Sequence, residues 1–179
     1  TRTILTVHDL SFVRSPETAS PKLRAYLLNV VPKSIERADY ILADSEATKQ
    51  DIIDLYNTSP NKIETLLSGV NPRFAPVTDG TRLQQVRQKY DLDGFPFILS
   101  VGTIQPRKNY GRLIHALKII REQGHDFHVV IAGGRGWLED DIYSALDEFD
   151  MHPYVHFIGF AADEDLPALY SAARCSFFA

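Results

Sequence analysis

The sequence has little cysteine and no long apolar run, and both shortages exclude classes of protein. Its single cysteine, Cys175, cannot form an internal disulfide, so we expect a buried thiol and a reducing, cytoplasmic setting. No apolar run approaches the roughly 18 residues of a membrane-spanning helix, and the N-terminus lacks the pattern of a signal peptide. The net charge of −4 gives no reason to expect a nucleic-acid partner. The six histidines are scattered without metal-ligand spacing, so no metal is expected.

The composition, with 44% hydrophobic and 23% charged residues, is typical of a globular protein. Strand-like segments alternate with helix-like ones, among them a helix over 137–149, and this alternation predicts an α/β fold with parallel sheets. The apolar strands "FPFILSV" and "FHVVIA" suit a sheet that is covered on both faces.

The alternation falls into two blocks, residues 1–70 and 81–179, joined by a Pro- and Gly-rich linker over 71–80. In the first block we predict a helix broken or kinked near Pro32, a helix capped by Asp44 or Ser45, and a third strand, "KIETLLSGV". The first block starts on a strand and the second stops inside one, so we expect both to be incomplete and the sequence to be a fragment.

The stretch "SVGTIQPRKNYGRLIHAL" places two cations, Arg107 and Lys108, just before a helix for which Asn109 is the predicted N-cap. Cations beside the positive end of a helix dipole are unfavourable, and a bound anion would reverse that sign. The alternative is a solvated basic loop. The position favours an anion site.

Other unusual residues also follow predicted strands, where ligands of open parallel sheets bind. They are His8-Asp9, Ser68-Gly69, Gly133 to Gly136 and Gly159. Each has a plainer interpretation: the His-Asp pair is most often a turn, and the glycines of "AGGRGW" serve a tight turn as well as they serve a ligand. The dinucleotide pattern G-x-G-x-x-G does not fit them.

A basic and apolar segment around Lys22, Arg24, Lys33 and Arg37 has two interpretations. One is a peripheral contact with an anionic membrane surface. The other, which we favour, is a packed amphipathic helix.

Taken in order, six phrases resemble the retaining glycosyltransferases of the group 1 (family 4) type, which have the GT-B fold. They are "TVHDLSF", "RADYILADSEATKQDI", "SGVNPRF", "ILSVGTIQPRKNYGRLIHAL", "VIAGGRGW" and "FIGFAADEDLPALYSAA". The wording is most similar to mannosyltransferase-like members of bacterial polysaccharide assembly.

The resemblance implies two Rossmann-like domains, an acceptor-side domain within 1–70 and a nucleotide-sugar-binding domain within 81–179. It implies a nucleotide-diphosphate sugar as donor, a glycan or lipid-linked acceptor, no cofactor or metal, and work in the cytoplasm or at the inner face of the membrane. Lys108 matches the lysine that contacts the donor diphosphate, and His8 matches a histidine near the transferred sugar. The other implied site residues are Thr103 and Arg107 at the diphosphate, Gly133, Gly134, Ile158 and Gly159 at the nucleotide, and Ser68 and Gly69 in the cleft.

The sequence also departs from the family's pattern. Thr103 stands where many members have arginine, and Ser68-Gly69-Val70-Asn71 replaces Asn-Gly-Val-Asp. The glutamate-containing donor segment would follow Ala179, and a glycine-rich loop would precede Thr1, so we expect the fragment itself to be inactive. Alternatives are a nucleotide-sugar epimerase of the same fold and a non-catalytic sugar-nucleotide-binding module. A nicotinamide oxidoreductase is the weakest, because the glycine fingerprint is missing.

Overall fold

The computed structural model describes residues 2–136 and 140–178, and the chain divides into two compact units, Thr1–Val70 and Asn71–Ala179. In both units every strand runs parallel to its neighbours, which confirms the predicted α/β class. The predicted helix over 137–149 is present from Asp140 to Glu148, and its first residues, 137–139, lie outside the described residues.

The first unit is a three-stranded parallel sheet in the order β1-β2-β3. Its elements are β1 (Ile4–Val7), α1 (Ser11–Arg14), α2 (Pro21–Arg37), β2 (Tyr40–Ala43), α3 (Glu46–Tyr56) and β3 (Ile63–Thr65). The last residues of the three strands lie side by side, because Val7 pairs with Ala43 and Ala43 with Thr65. The core of this unit includes Ile41, Ile52 and Ile63.

Helix α2 runs from Pro21 to Arg37 without a break, so of the two predicted effects of Pro32 the break is wrong, while the kink stays a prediction. Proline removes one backbone donor from a helix, but tertiary packing on both sides outweighs that loss. Leu27 and Val31 precede the proline and Ile35 follows it, and all three pack on the core of the first unit.

Strand β3 ends earlier than its apolar sequence predicts. Leu66 still donates a backbone hydrogen bond to the carbonyl of Ala43 at 2.8 Å, but β2 ends there and offers no further partner. Leu67 and Val70 are consequently outside the sheet, with exposed fractions of 73% and 79%.

The second unit is a four-stranded parallel sheet in the order β6-β5-β4-β7. Its elements are α4 (Gly80–Lys89), β4 (Phe97–Val101), a 3₁₀ turn (Pro106–Lys108), α5 (Tyr110–Glu122), β5 (His128–Ala132), α6 (Asp140–Glu148), a second 3₁₀ turn (His152–Tyr154), β6 (Val155–Gly159), α7 (Leu166–Ala172) and β7 (Cys175–Ser176). Tyr110 and Leu146 belong to one core cluster and Val86 and Leu169 to another, so helices cover both faces of the sheet as predicted.

Cys175 is exposed, and the predicted buried thiol is wrong. Strand β7 pairs with Ile98 and Leu99 of β4, and no other strand among the described residues lies beside it. With no described neighbour on its other side, β7 leaves the thiol uncovered in this part of the chain.

Residues 71–79, within the predicted linker, are largely exposed but contact α7 and the loop before it through Arg73, Phe74 and Val77. The Val77 backbone N–H donates to Ser171 Oγ at 2.9 Å, and the Arg73 guanidinium pairs with Asp163 at 2.9 Å. The ring of Phe74 meets that of Tyr170 edge to face. The stretch therefore lies against α7 and the loop that precedes it.

Candidate functional site

The loops that follow β4, β5 and β6 are joined to one another at the carboxyl edge of the second sheet. The Gly102 N–H donates to the Ala132 carbonyl at 2.8 Å, and the Gly133 N–H donates to the Gly159 carbonyl at 2.7 Å. The Ile104 N–H donates to the Gly134 carbonyl at 3.0 Å. The predicted nucleotide residues after these strands are thus brought together on one backbone surface.

Two glycines of the "AGGRG" turn are required by the closeness of these loops. A Cβ on Gly133 would overlap the carbonyl oxygen of Gly102, and a Cβ on Gly136 would overlap that of Ile104. The tight-turn interpretation of the glycines is therefore correct for these two positions. A ligand role for the glycines of this turn stays a prediction.

Gly134, Ile158 and Gly159 have different surroundings. A Cβ on Gly134 would lie 3.2 Å from the ring of Phe160, which is 89% exposed. Ile158 sits where the register of β6 against β5 shifts, since Ile131 pairs with Phe157 and Ala132 with Gly159. The shift turns the end of β6 at Gly159, whose φ of 67° lies in the left-handed region that glycine favours.

Arg107 and Lys108 lie on the 3₁₀ turn immediately before α5. Asn109 occupies the predicted N-cap position, but its φ of 52° is left-handed and its side chain makes no capping hydrogen bond. Asn109 ends the 3₁₀ turn instead, and its N–H donates to the Pro106 carbonyl at 2.9 Å. This conformation is common for asparagine and reverses the chain between the two helical segments.

Lys108 folds back across the end of β4. Its Cε lies 3.3 Å from where a Cβ on Gly102 would stand, and its Nζ lies 3.8 Å from the ring centroid of Phe178. Burial lowers the pKa of Lys108, and the neighbouring charge of Arg107 lowers it further. Arg107 and Thr103 are exposed. Positive charge thus lies directly before the N-terminus of α5, and a bound anion would be favourable there.

His8, in the first unit, forms an ion pair with Asp44. Its Nδ1 lies 2.7 Å from the Asp44 carboxylate, and its side chain is 78% exposed. The hydrogen bond to Asp44 raises the pKa of His8, and the charge of the same carboxylate raises it further. Asp44 is therefore the hydrogen-bond partner of His8. Of the two predicted caps of α3, Ser45 is the one observed, because it accepts a hydrogen bond from the Thr48 N–H at 3.0 Å.

Ser68 and Gly69 lie beyond the end of β3 and are exposed. A Cβ on Gly69 would meet no atom within 4 Å. The structure thus places these two residues and His8 in the first unit, and the diphosphate and nucleotide residues in the second.

Three residues near these positions were not predicted: Asp44 as a partner of His8, Phe160 over Gly134, and Phe178 under Lys108. Asp44 had a recognisable signal, because His8 and Asp44 each directly follow one of two neighbouring parallel strands. Phe160 and Phe178 had no such signal apart from their position near strand ends. An aromatic residue at that position belongs to the core as often as it belongs to a site.

Two features are absent from the part of the chain that the structure describes. No helix among residues 2–136 and 140–178 has the length and apolar character needed to cross a bilayer. Within the same residues, no group of three or more His, Cys, Asp and Glu side chains is arranged to hold a metal ion.

Comparison with known proteins identifies the family of both units. Residues 84–179, more than half of the chain, match the model of "Glycosyl transferases group 1", and residues 1–74 match "Glycosyltransferase Family 4". The O-antigen chain mannosyltransferase B of Escherichia coli is 30% identical over 174 residues, which cover 97% of this chain and 45% of that protein.

A second relative, from Campylobacter jejuni, is N-acetylgalactosamine-N,N'-diacetylbacillosaminyl-diphospho-undecaprenol 4-alpha-N-acetylgalactosaminyltransferase. It is 30% identical over 146 residues, which cover 80% of this chain and 35% of that protein. The solved structure of Anabaena Alr3699/HepE in complex with UDP and glucose matches with a TM-score of 0.75 at 19% identity, covering 98% of this chain and 45% of that one. The chain spans less than half the length of each of these proteins. It belongs to the group 1 glycosyltransferases, and its two units have the α/β architecture of the GT-B fold.

Proposed function

We propose that the whole protein transfers a hexosyl group from a nucleotide-diphosphate sugar to a glycan or lipid-linked acceptor. The observation that carries the proposal is the position of Lys108, whose ammonium lies across the end of β4 beside Gly102 and the joined loops. Arg107 adds a second cation on the same turn. Together they provide the positive charge that a diphosphate requires.

The relatives support this choice of substrates. A mannosyltransferase of O-antigen chains, a transferase named for a diphospho-undecaprenol acceptor, and a structure with bound UDP and glucose all match most of this chain. Mannosyl transfer in polysaccharide assembly is the variant of the proposal that the name of the Escherichia coli relative favours. We propose that it takes place in the cytoplasm or at the inner face of the membrane.

For the reaction, we propose that the new glycosidic bond forms on the face from which the diphosphate leaves, with retention of anomeric configuration. Negative charge grows on the leaving diphosphate, and Lys108 and Arg107 would stabilise it electrostatically. A departing phosphate that assists the acceptor leaves little for a classical general base to do. We therefore assign His8 to positioning the sugar or the acceptor, a role in which a raised pKa favours donation of a hydrogen bond.

The variant Lys108→Ala tests the assignment in the whole protein. Losing a charge-assisted contact that strengthens as the diphosphate leaves should cost about 2–4 kcal/mol, or roughly two to three decades in turnover. Stability should stay unchanged or rise slightly, because a cation leaves the positive end of α5. Turnover is measured as released nucleoside diphosphate with a panel of nucleotide sugars, and NMR of the product reports the anomeric configuration.

Lys118→Ala is the matched control, because Lys118 lies on α5 and pairs with Glu122 at 2.9 Å. Its turnover should stay close to that of the wild type. Turnover of Lys108→Ala within threefold of the wild type would contradict the diphosphate assignment. Interconversion of free donor without transfer would favour an epimerase.

We also propose that the reaction requires no divalent metal, because the two cations supply the charge that a metal would otherwise bring. The same assay with a chelator should retain its rate. Activity lost in chelator and restored by Mg²⁺ or Mn²⁺ would refute this part of the proposal.

A further inference from the structure

Phe178 is held at the carboxyl edge by the pairing of β7 with β4. The Phe177 N–H donates to the Leu99 carbonyl at 2.8 Å, which fixes the backbone next to Phe178 beside the end of β4. The Phe178 side chain is nevertheless 81% exposed. The anchored backbone holds the ring at the carboxyl edge, where one of its faces can receive a cation.

That face is occupied by the ammonium of Lys108, 3.8 Å from the ring centroid. The Lys108 chain also lies against Gly102, with its Cε 3.3 Å from where a Cβ would stand. Contacts on two sides thus restrict a flexible side chain with four rotatable bonds to one place above the end of β4. Without them, ordering such a chain on binding would cost affinity.

The ring positions the ammonium without neutralising it. An aromatic face attracts a cation through its quadrupole and has no net charge. Burial lowers the pKa of Lys108, and the charge of Arg107 lowers it further. Among residues 2–136 and 140–178, no carboxylate is found to compensate the cation, and an uncompensated cation is the state from which an incoming anion gains most.

We propose that Phe178 is a positioning residue that orders Lys108 for the donor diphosphate. The inference rests on the proposed function, because that function assigns the diphosphate to Lys108. It adds a role for the aromatic face at position 178.

The test compares Phe178→Leu with Phe178→Trp in the whole protein, using inorganic pyrophosphate and UDP as calorimetric probes. Leucine keeps an apolar side chain but has no aromatic face, so both dissociation constants should rise about fivefold. Tryptophan offers a better face and should restore wild-type affinity. Unchanged affinity in Phe178→Leu, or equal losses in both variants, would overturn the inference.

A double-mutant cycle separates positioning from a general effect on the fold. In a Lys108→Ala background, Phe178→Leu should change neither dissociation constant, because the cation that the ring orders has been removed. A further loss of affinity in that background would show that Phe178 acts independently of Lys108, and the inference would fall.

The contact itself is measured without any ligand. With lysine labelled at ¹³Cε, the Lys108 signal should show an upfield ring-current shift that disappears in Phe178→Leu. Absence of the shift in the wild type would overturn the inference. A shifted signal in a protein that binds neither probe would instead refute the proposed function, and the positioning role with it. Binding that is insensitive to Phe178 would refute the positioning role alone.

Discussion

The contact with Asp44 fixes the orientation of the His8 ring and raises the pKa of His8. The carboxylate accepts a hydrogen bond from Nδ1 at 2.7 Å, so this nitrogen carries the proton in the neutral ring and Nε2 faces away from Asp44. Because the pair raises the pKa of His8, a larger fraction of the rings is charged near neutral pH. A charged ring donates from Nε2, which suits a residue that holds a sugar hydroxyl rather than one that removes its proton.

Replacing the carboxylate tests this pairing directly. In Asp44→Asn we expect the pKa of His8 to fall toward its ordinary value of 6.5, because both the hydrogen bond to a charge and the charge itself are lost. The measurement is an NMR titration of the His8 ring proton. Asp9→Asn is the matched control and should lower the pKa less, since Asp9 is the smallest of the influences on His8. Equal shifts in the two variants would contradict the role given to Asp44.

Among the elements of the second unit, α4 is joined to the start of α7 by one buried carboxylate. Asp165 is 1% exposed and accepts hydrogen bonds from Arg82 and Lys89 at 2.6 Å and from the Tyr90 hydroxyl at 2.8 Å. Burial alone raises the pKa of Asp165, but the hydrogen bonds from Lys89, Tyr90 and Arg82 outweigh it, and the pKa is lowered. The carboxylate is thus more favourable in the folded state than in the unfolded chain.

The variant Asp165→Asn should lower the free energy of unfolding of the second unit by about 1–3 kcal/mol, because three donors lose a charged acceptor. Lys89 and Arg82 remain partly hydrated, which keeps the loss below that of a fully buried pair. Asp163→Asn is the control: Asp163 is 69% exposed and pairs with Arg73, so its loss should stay within about 0.5 kcal/mol. Urea unfolding measures both, and similar losses would contradict the importance of burial.

The lowered pKa of Asp165 also predicts how the free energy of unfolding changes at acid pH. The folded pKa lies below the ordinary value of 3.8, so the contribution of Asp165 is complete above that value and disappears as the pH falls through the folded pKa. In Asp165→Asn this part of the pH dependence should be absent. An unchanged acid limb would mean that other carboxylates cause it.

Strands and helices could be predicted from the sequence because their apolar runs and periodicities are local. Contacts between side chains could not, because they depend on register and on neighbouring strands. His8 meets Asp44 because Val7 pairs with Ala43, a register that the sequence of either strand alone does not give. The position of Lys108 after β4 was readable, but its contact with Phe178 joins residues 70 positions apart in sequence and required the sheet order.

For the molecule as a whole, Leu66 and Leu67 at the end of the first unit are more exposed than Phe74 in the predicted linker, which is 37% exposed. Leu66 and Leu67 are 57% and 73% exposed, whereas Phe74 packs against Tyr170. Brief digestion with chymotrypsin should therefore cut after Leu66 or Leu67 before it cuts after Phe74, as mass spectrometry of the fragments would show. Ser171→Ala, which removes the acceptor for Val77, should speed the cut at Phe74. A first cut at Phe74 in the wild type would contradict the packing described for 71–79.

The loops joined after β4 and β5 also constrain how such a protein diversifies. In a library randomised over codons 133–136 and selected for a new donor, codons 133 and 136 should return as glycine, because a side chain at either would displace a neighbouring carbonyl. Position 134 is freer, since its side chain would meet the ring of Phe160, which can turn aside. On the proposed function, changes in donor preference should therefore fall at position 134 and the residues around it, while codons 133 and 136 stay fixed.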